Sequence, residues 1–203
     1  MGAALEALLN LSFKGKRDYL QSADIWVAVG SALEEAGLAS AADVLTIVFR
    51  RFTGAQPSLR MLHPDASLAQ FRERFADVML LRRGGRVLGA LLESGRPVVR
   101  RVPFPEQQIM DICHVEDQSV SYQGQLGFSA PEILVAATKL FHQRRVAAGK
   151  RWIVTKLVLP LGFAIGSETV LTAVLKGATS TLSTRSSVYL DGRPAGEIFY
   201  SAL

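Results

Sequence analysis

A chain of 203 residues has room for one large domain or two of about 100 residues each. With 49% hydrophobic and 20% charged residues it can bury a core, which excludes a disordered chain. The net charge is +5, and its basic doublets (Arg50-Arg51, Arg82-Arg83, Arg100-Arg101, Arg144-Arg145, Lys150-Arg151) are dispersed without interleaved aromatics; this argues against a nucleic-acid stacking platform and leaves solvated element ends or a basic rim for a phosphorylated carrier.

Residues 1–11 lack a basic n-region and carry Glu6, so neither a secretory signal nor a myristoylation pattern is expected. Leu9, Leu11 and Phe13 alternate with polar residues and predict a strand, with Gly15 inside it as a bulge. A polar loop covers residues 18–22. A helix is predicted over residues 23–36, with Ser22 or Asp24 near its start and Gly37 as its stop. Its apolar residues, among them Ile25, Trp26, Val29 and Leu33, cover most of the circumference, so other structure wraps it. Strands are predicted at residues 44–53, 58–62, 77–82 and 86–93, the last two joined by a tight hairpin at Arg83-Gly84-Gly85. Residues 63–75 read as a helical or irregular insertion opened by Pro64 and Asp65. Residues 94–112, with Pro97, Pro103 and Pro105, read as a final strand and a connecting segment.

A second strand-and-helix series follows. A strand is predicted over residues 118–126. Ser129-Ala130-Pro131-Glu132 is a capping box, in which the serine caps the backbone and the glutamate three residues later reaches back. The helix it opens runs to about residue 147 and stops at Gly149. Strands are predicted at residues 151–159, 169–176, 181–190 and 193–200, with Asp191-Gly192 as a hairpin turn. The longest apolar stretch, residues 152–165, is interrupted by Lys156 and Pro160 and is too short to span a bilayer. Cys113 is the single cysteine, so no internal disulfide forms, and a reduced cytoplasmic location is the default.

The two series match one another. Leu11-Ser12-Phe13-Lys14-Gly15-Lys16 corresponds to Val120-Ser121-Tyr122-Gln123-Gly124-Gln125, and residues 22–28 correspond to residues 130–136, with Asp24 over Glu132. Val44-Leu45-Thr46 corresponds to Ile153-Val154-Thr155, and Gly85-Arg86-Val87-Leu88-Gly89 to Gly192-Arg193-Pro194-Ala195-Gly196. The offsets are 109, 108, 109 and 107, which reads as an internal repeat. The glycines of the last match read as hairpin geometry rather than chemistry. Each copy is a strand, an apolar helix and about four antiparallel strands, an α+β pattern answered by a sheet curling around one helix. The expected units are residues 1–112 and 113–203.

In element order and duplication the chain resembles the hot-dog superfamily, and specifically its double members, in which one chain supplies two tandem hot-dog-like units. The resemblance covers nearly the whole chain. It implies a substrate or ligand carried as a thioester on coenzyme A or acyl carrier protein, and either a thioesterase, a 3-hydroxyacyl dehydratase or a catalytically silent acyl-binding or assembly partner in lipid or polyketide metabolism. The His-x-x-x-x-Pro-Gly pattern of the dehydratase branch does not occur. The thioesterase branch often carries an acid between the first strand and the helix; Arg17-Asp18-Tyr19-Leu20-Gln21-Ser22 is similar, with Asp18 at the acid's place and without the His and Asn of that run.

Thioester chemistry needs a carboxylate to activate water or attack, and N–H donors for the developing oxyanion, which a helix N-terminus supplies. Asp18 is therefore the leading acid or base, with Tyr19, Asp24 and Glu132 as further catalytic candidates; capping and dipole stabilisation account equally for Asp24 and Glu132. Arg17, Trp26 and Phe128 are the substrate-binding candidates. Arg17-Asp18-Tyr19 corresponds to Leu126-Gly127-Phe128, so the first copy supplies the loop acid and the second apolar walls. His63 is expected to be exposed, His114 has no partner at metal-ligand spacing, and His142 is expected to cap its helix or face solvent. No metal or cofactor motif occurs. Pairing of the two units satisfies the association that single units need, or the chain pairs again as a homodimer through edge strands of the first half.

Overall fold

The structure, a computed structural model, describes residues 5–63, 66–147, 149–180 and 182–203. The backbone divides into two units, Met1–Phe104 with Pro160–Gly162, and Pro105–Leu159 with Phe163–Leu203. Both combine an antiparallel sheet with helices, an α+β architecture. Among the described residues no helix is long and apolar enough to cross a membrane.

The first unit contains β1 (Leu5–Leu8), β2 (Phe13–Lys14), α1 (Ser22–Glu35), β3 (Val44–Phe49), β4 (Ala55–Met61), β5 (Ala76–Arg82), β6 (Gly85–Pro97) and β7 (Arg101–Val102). Five of these strands form a sheet in the order β1-β4-β6-β5-β3. β2 and β7 pair separately and in parallel, Phe13 opposite Arg101 and Lys14 opposite Val102. The single strand expected through residues 9–13 is thus two short ones. The cause is Gln56, whose side chain accepts from Leu11 N at 2.7 Å and donates to Leu11 O at 2.8 Å, taking the bonds a ladder would use. Gly15, with φ of 59°, lies in the turn after β2 and not inside a strand.

Helix α1 buries Ala23, Ile25, Trp26, Val29 and Leu33, and Trp26 Nε1 donates to Leu45 O of β3 at 3.4 Å. Its end is a Schellman motif: Gly37 N donates to Glu34 O and Leu38 N to Leu33 O, with Gly37 at φ 66° where a side chain would be strained. In the insertion, Arg74 donates to Leu68 O and Phe71 O of a short 3-10 turn (Leu68–Gln70) and pairs with Asp77. Pro64 and Asp65 lie outside the described residues.

The second unit contains α2 (Glu106–Ile112), β8 (His114–Val115), β9 (Ser119–Gln123), α3 (Ala130–Phe141), a π-helical turn (His142–Val146), β10 (Trp152–Pro160), β11 (Val170–Ser180), β12 (Ser183–Leu190) and β13 (Arg193–Ala202). Its strand order is β10-β13-β12-β11-β9-β8. The expected connecting segment over residues 94–112 therefore holds a helix, α2. It buries Ile109 and pairs Glu106 with Lys139 of α3 at 2.7 Å. Positive φ at Asp191 and Gly192, 49° and 75°, makes the hairpin turn that their sequence predicts.

The remaining glycines of the two Gly-Arg motifs serve close approach. A Cβ on Gly89 would stand 2.9 Å from Arg60 O on the neighbouring strand, and one on Gly196 would strike Val158 O.

Candidate functional site

The loop of residues 15–20 is held on two sides. On one, Arg101 Nη1 donates to Gly15 O at 2.7 Å and to Arg17 O at 2.6 Å, and its guanidinium lies 5.2 Å from the centre of the Phe13 ring. On the other, Leu20 N donates to Thr53 O at 3.0 Å, and Tyr19 packs against Phe52 with ring centres 4.6 Å apart. Gly54 completes this side, since a Cβ there would stand only 3.3 Å from Asp18 O. The Arg101 side chain on one side and a backbone bond on the other thus fix a polar stretch that has no regular secondary structure of its own.

The sequence candidates distribute as follows. Asp18 is exposed on this loop and forms no ion pair or hydrogen bond through its carboxylate among the described residues. Arg17 is half-buried, its guanidinium 5.6 Å from the Phe104 ring centre. Tyr19 is half-buried beside Phe52. Asp24, in the first turn of α1, accepts from Lys14 Nζ at 2.6 Å, a partly buried ion pair. Trp26 is 3% exposed, a core residue under the helix rather than a surface one. Arg17, Asp18, Tyr19 and Asp24 are therefore all held at or just before the start of α1.

Phe128 and Glu132 belong to the second unit, where the loop before α3 closes in a different way. Glu132 is buried and its Oε2 accepts from Ser129 N at 2.8 Å and Ser129 Oγ at 2.7 Å, the expected capping box. Phe128 is half-buried next to it in sequence.

Helix α1 starts differently from its expected Ser22 or Asp24 cap. Its N-cap residue is Gln21, which makes no side-chain cap bond. Gln21 is 7% exposed, and its Nε2 is buried without an acceptor among the described residues. Sequence reading passed over this residue because a glutamine between a loop and a helix looks like ordinary solvated polarity.

The histidines and the cysteine occupy other roles. His63 is exposed, and His114 is exposed with Glu116 at 3.8 Å. His142 is the C-cap residue of α3, one of its two expected places, and it is fully buried rather than solvent-facing. Its Nδ1 lies 2.6 Å from Thr138 O, which can only accept, so Nδ1 carries the proton, and Nε2 accepts from Thr184 Oγ1 at 2.6 Å. Tyr200 and Trp152 flank the ring, both with centres 4.6 Å away. Tyr200 in turn donates to Val135 O at 2.8 Å and stands 2.9 Å from Thr138 Oγ1. Burial pushes the imidazole's pKa below its ordinary value, against the opposing bond to Thr138 O. Burial also pushes the Cys113 thiol up to about 11, with Arg144 opposing, so this cysteine is protonated at neutral pH and is no nucleophile.

No protein-family model and no curated protein matches the sequence. Solved structures do match in fold. The dehydratase domain of PpsC from Mycobacterium tuberculosis, described in complex with C12:1-CoA, aligns with a TM-score of 0.52 at 10% identity over 98% of this chain and 92% of that one. Weaker likenesses include a tesB protein of Mycobacterium avium subs paratuberculosis (TM-score 0.49, 8% identity, 95% and 91% of the two chains). An acyl-ACP thioesterase from Bacteroides thetaiotaomicron is similar at TM-score 0.47 and 10% identity over 97% of each chain. The fold is the hot-dog fold.

Proposed function

We propose that this protein binds an acyl group carried as a thioester, on coenzyme A or an acyl carrier protein, with the loop of residues 15–20 and the start of α1 at the reacting end. The observation that carries the reading is the likeness of fold to a dehydratase domain described with an acyl-CoA ligand. Fold alone does not choose a reaction, so the residues carry the rest. Asp18 is exposed on a loop whose backbone is fixed from both sides. A carboxylate placed so is suited to act as general base or nucleophile. The N-terminal N–H groups of α1 have no intrahelical acceptor and suit a thioester carbonyl.

On this reading Arg17 and Tyr19 contact substrate in the first unit, Trp26 supports the helix behind them, Phe128 is an apolar substrate contact of the second unit taken by itself, and Asp24 and Glu132 each organise the helix start of their own unit. The chain comprises two tandem hot-dog-like units, expected as residues 1–112 and 113–203 and divided in the backbone at Phe104 and Pro105, of which the first carries the reacting acid. A cytoplasmic setting, and a homodimer through the first unit's edge, belong to the same proposal. One observation favours a second reading, a catalytically silent acyl-binding or assembly partner. Both helix-start acids are already engaged, Asp24 by Lys14 and Glu132 by Ser129, and no histidine occurs in the loop or the first turn of α1.

Incubation with acyl-coenzyme A and acyl-carrier substrates of graded chain length separates the two. Catalysis predicts thiol release or dehydration, reduced about a hundredfold or more in Asp18→Asn. Tight binding without turnover supports the silent reading, and turnover that survives Asp18→Asn removes Asp18 from the chemistry.

A further inference from the structure

The surplus positive charge of the chain gathers on one part of the first unit. Three stretches meet there, residues 13–20, 51–55 and 95–102. Phe13 N donates to Arg100 O at 2.9 Å, Leu20 N donates to Thr53 O at 3.0 Å, and Ala55 pairs with Pro97 between β4 and β6. Lys16, Arg96 and Arg100 are exposed and form no ion pair among the described residues. Arg101 is exposed too, and its Nη1 bonds to the carbonyls of Gly15 and Arg17 rather than to a carboxylate. Asp18 is the one acid within these stretches, and two acids outside them bond in, Asp24 to Lys14 and Glu93 to Arg51, each at 2.6 Å. Seven lysines and arginines thus stand against three carboxylates, a surplus of four beside the +5 of the whole chain.

An apolar point stands among these cations. Val99 is 86% exposed, more than any other large hydrophobic side chain among the described residues, with Arg96 three residues before it and Arg100 directly after. A lone exposed valine needs no explanation, but one set within a surplus of arginines has the make-up of a water–hydrocarbon boundary. The details select the partner. A protein interface of standard size, about 800 Å² on each side, is built round an apolar centre of several side chains. Here only Val99 and Phe52, 40% exposed, are available. A single-stranded nucleic acid needs open rings for stacking. The rings here are engaged: Arg101 lies 5.2 Å from the Phe13 centre, Lys14 lies 5.3 Å from that of Phe104, and Tyr19 packs on Phe52. A fluid surface of anionic lipid needs neither. Its headgroups receive the cations, and its acyl boundary takes a protruding side chain without a preformed pocket.

We infer that this surface binds an anionic membrane, with Lys16, Arg96, Arg100 and Arg101 among the lipid headgroups and Val99 inserted between them. The chain then lies on the bilayer without crossing it. This adds a binding site to the thioester reading and does not depend on it.

Sedimentation of the full chain with vesicles tests this, one set of phosphatidylcholine alone and one containing about a third phosphatidylserine. The wild type is expected to bind the anionic set, to leave the neutral set unbound, and to be released in about 1 M salt. Arg96→Gln and Arg100→Gln together are expected to weaken binding about twentyfold, since each cation at such a surface contributes about fivefold. Both arginines and Val99 are exposed, so thermal unfolding of the variants is expected to match the wild type. Val99→Trp is expected to bind more tightly and to shift its emission to the blue on binding. Trp26 and Trp152 are already buried, so that shift reports position 99. Failure to bind the anionic set, equal binding to both sets, unchanged binding in the arginine double variant, or emission of bound Val99→Trp that does not move would each overturn the inference. Coenzyme A that displaces the vesicles at the protein's own concentration would assign the cations to a carrier's phosphates and overturn it too. So would DNA or poly-glutamate that outcompetes the vesicles, since the surface would then belong to another polyanion.

Discussion

Helix α1 carries Asp24 in its first turn and helix α3 carries Glu132, yet the two acids are held by different means. Glu132 bonds to Ser129, its own N-cap residue, so the start of α3 is closed by atoms three residues apart. Asp24 bonds to Lys14 on strand β2, and the cap residue Gln21 contributes no side-chain bond. The helices also differ in what surrounds them. α1 is seated by apolar residues and one indole bond, whereas α3 ends in a buried polar array of Thr138, His142, Thr184 and Tyr200. A helix start closed by its own sequence is finished as structure. One held by a distant partner depends on the strand and loop packed beside it.

The largest expected effect tests the apolar seat of α1. Trp26→Ala should lower stability by about 4 kcal/mol, since it empties a core site and removes the bond to Leu45 O. Urea unfolding measures this, and a loss below about 1 kcal/mol would mean that α1 is not anchored as described.

The polar seat of α3 should be sensitive to pH instead. His142 is neutral and buried, with its folded pKa held below the ordinary value near 6.5. The unfolded chain then binds a proton that the folded one does not. Its contribution to stability is complete above pH 6.5 and is lost as the pH falls below that value, at no more than about 1.4 kcal/mol per pH unit. Chemical denaturation from pH 7.5 to 5 should show this slope, and His142→Gln should flatten it. A slope unchanged in the variant would place the acid sensitivity elsewhere.

The smallest effects sharpen the contrast between the two acids. Glu132→Ala and Asp24→Ala should each cost about 1 kcal/mol. Only the Asp24 effect should shrink in 1 M salt, about where screening becomes strong, because it rests on an ion pair and the capping box does not. Equal salt responses would erase the distinction.

Features made by neighbouring residues were legible in the sequence. The Ser129–Glu132 box, the Gly37 stop and the Asp191-Gly192 turn each depend on atoms within a few positions, so residue type and spacing declare them. Features made by distant partners were not. The strand expected at residues 9–13 gives way to Gln56, and His142 is buried against Thr184. Helix α2 is seven residues long and follows three prolines, too short to show a periodicity. At the candidate site, position and charge pointed to Asp18, but the burial of Gln21 is a tertiary fact that no local pattern signals.

The clasp of Arg101 on the loop of residues 15–20 has a consequence for the order of folding. Its two bonds join residues 86 and 84 positions apart. Closing so long a loop is slow compared with forming a helix or hairpin. α1 and the β5–β6 hairpin can form from local contacts, whereas the stretch that carries Asp18 takes its final shape only after the chain through residue 101 has come together. The part of the first unit nearest the proposed chemistry is thus among the last to be built and, by the same reasoning, among the first to loosen.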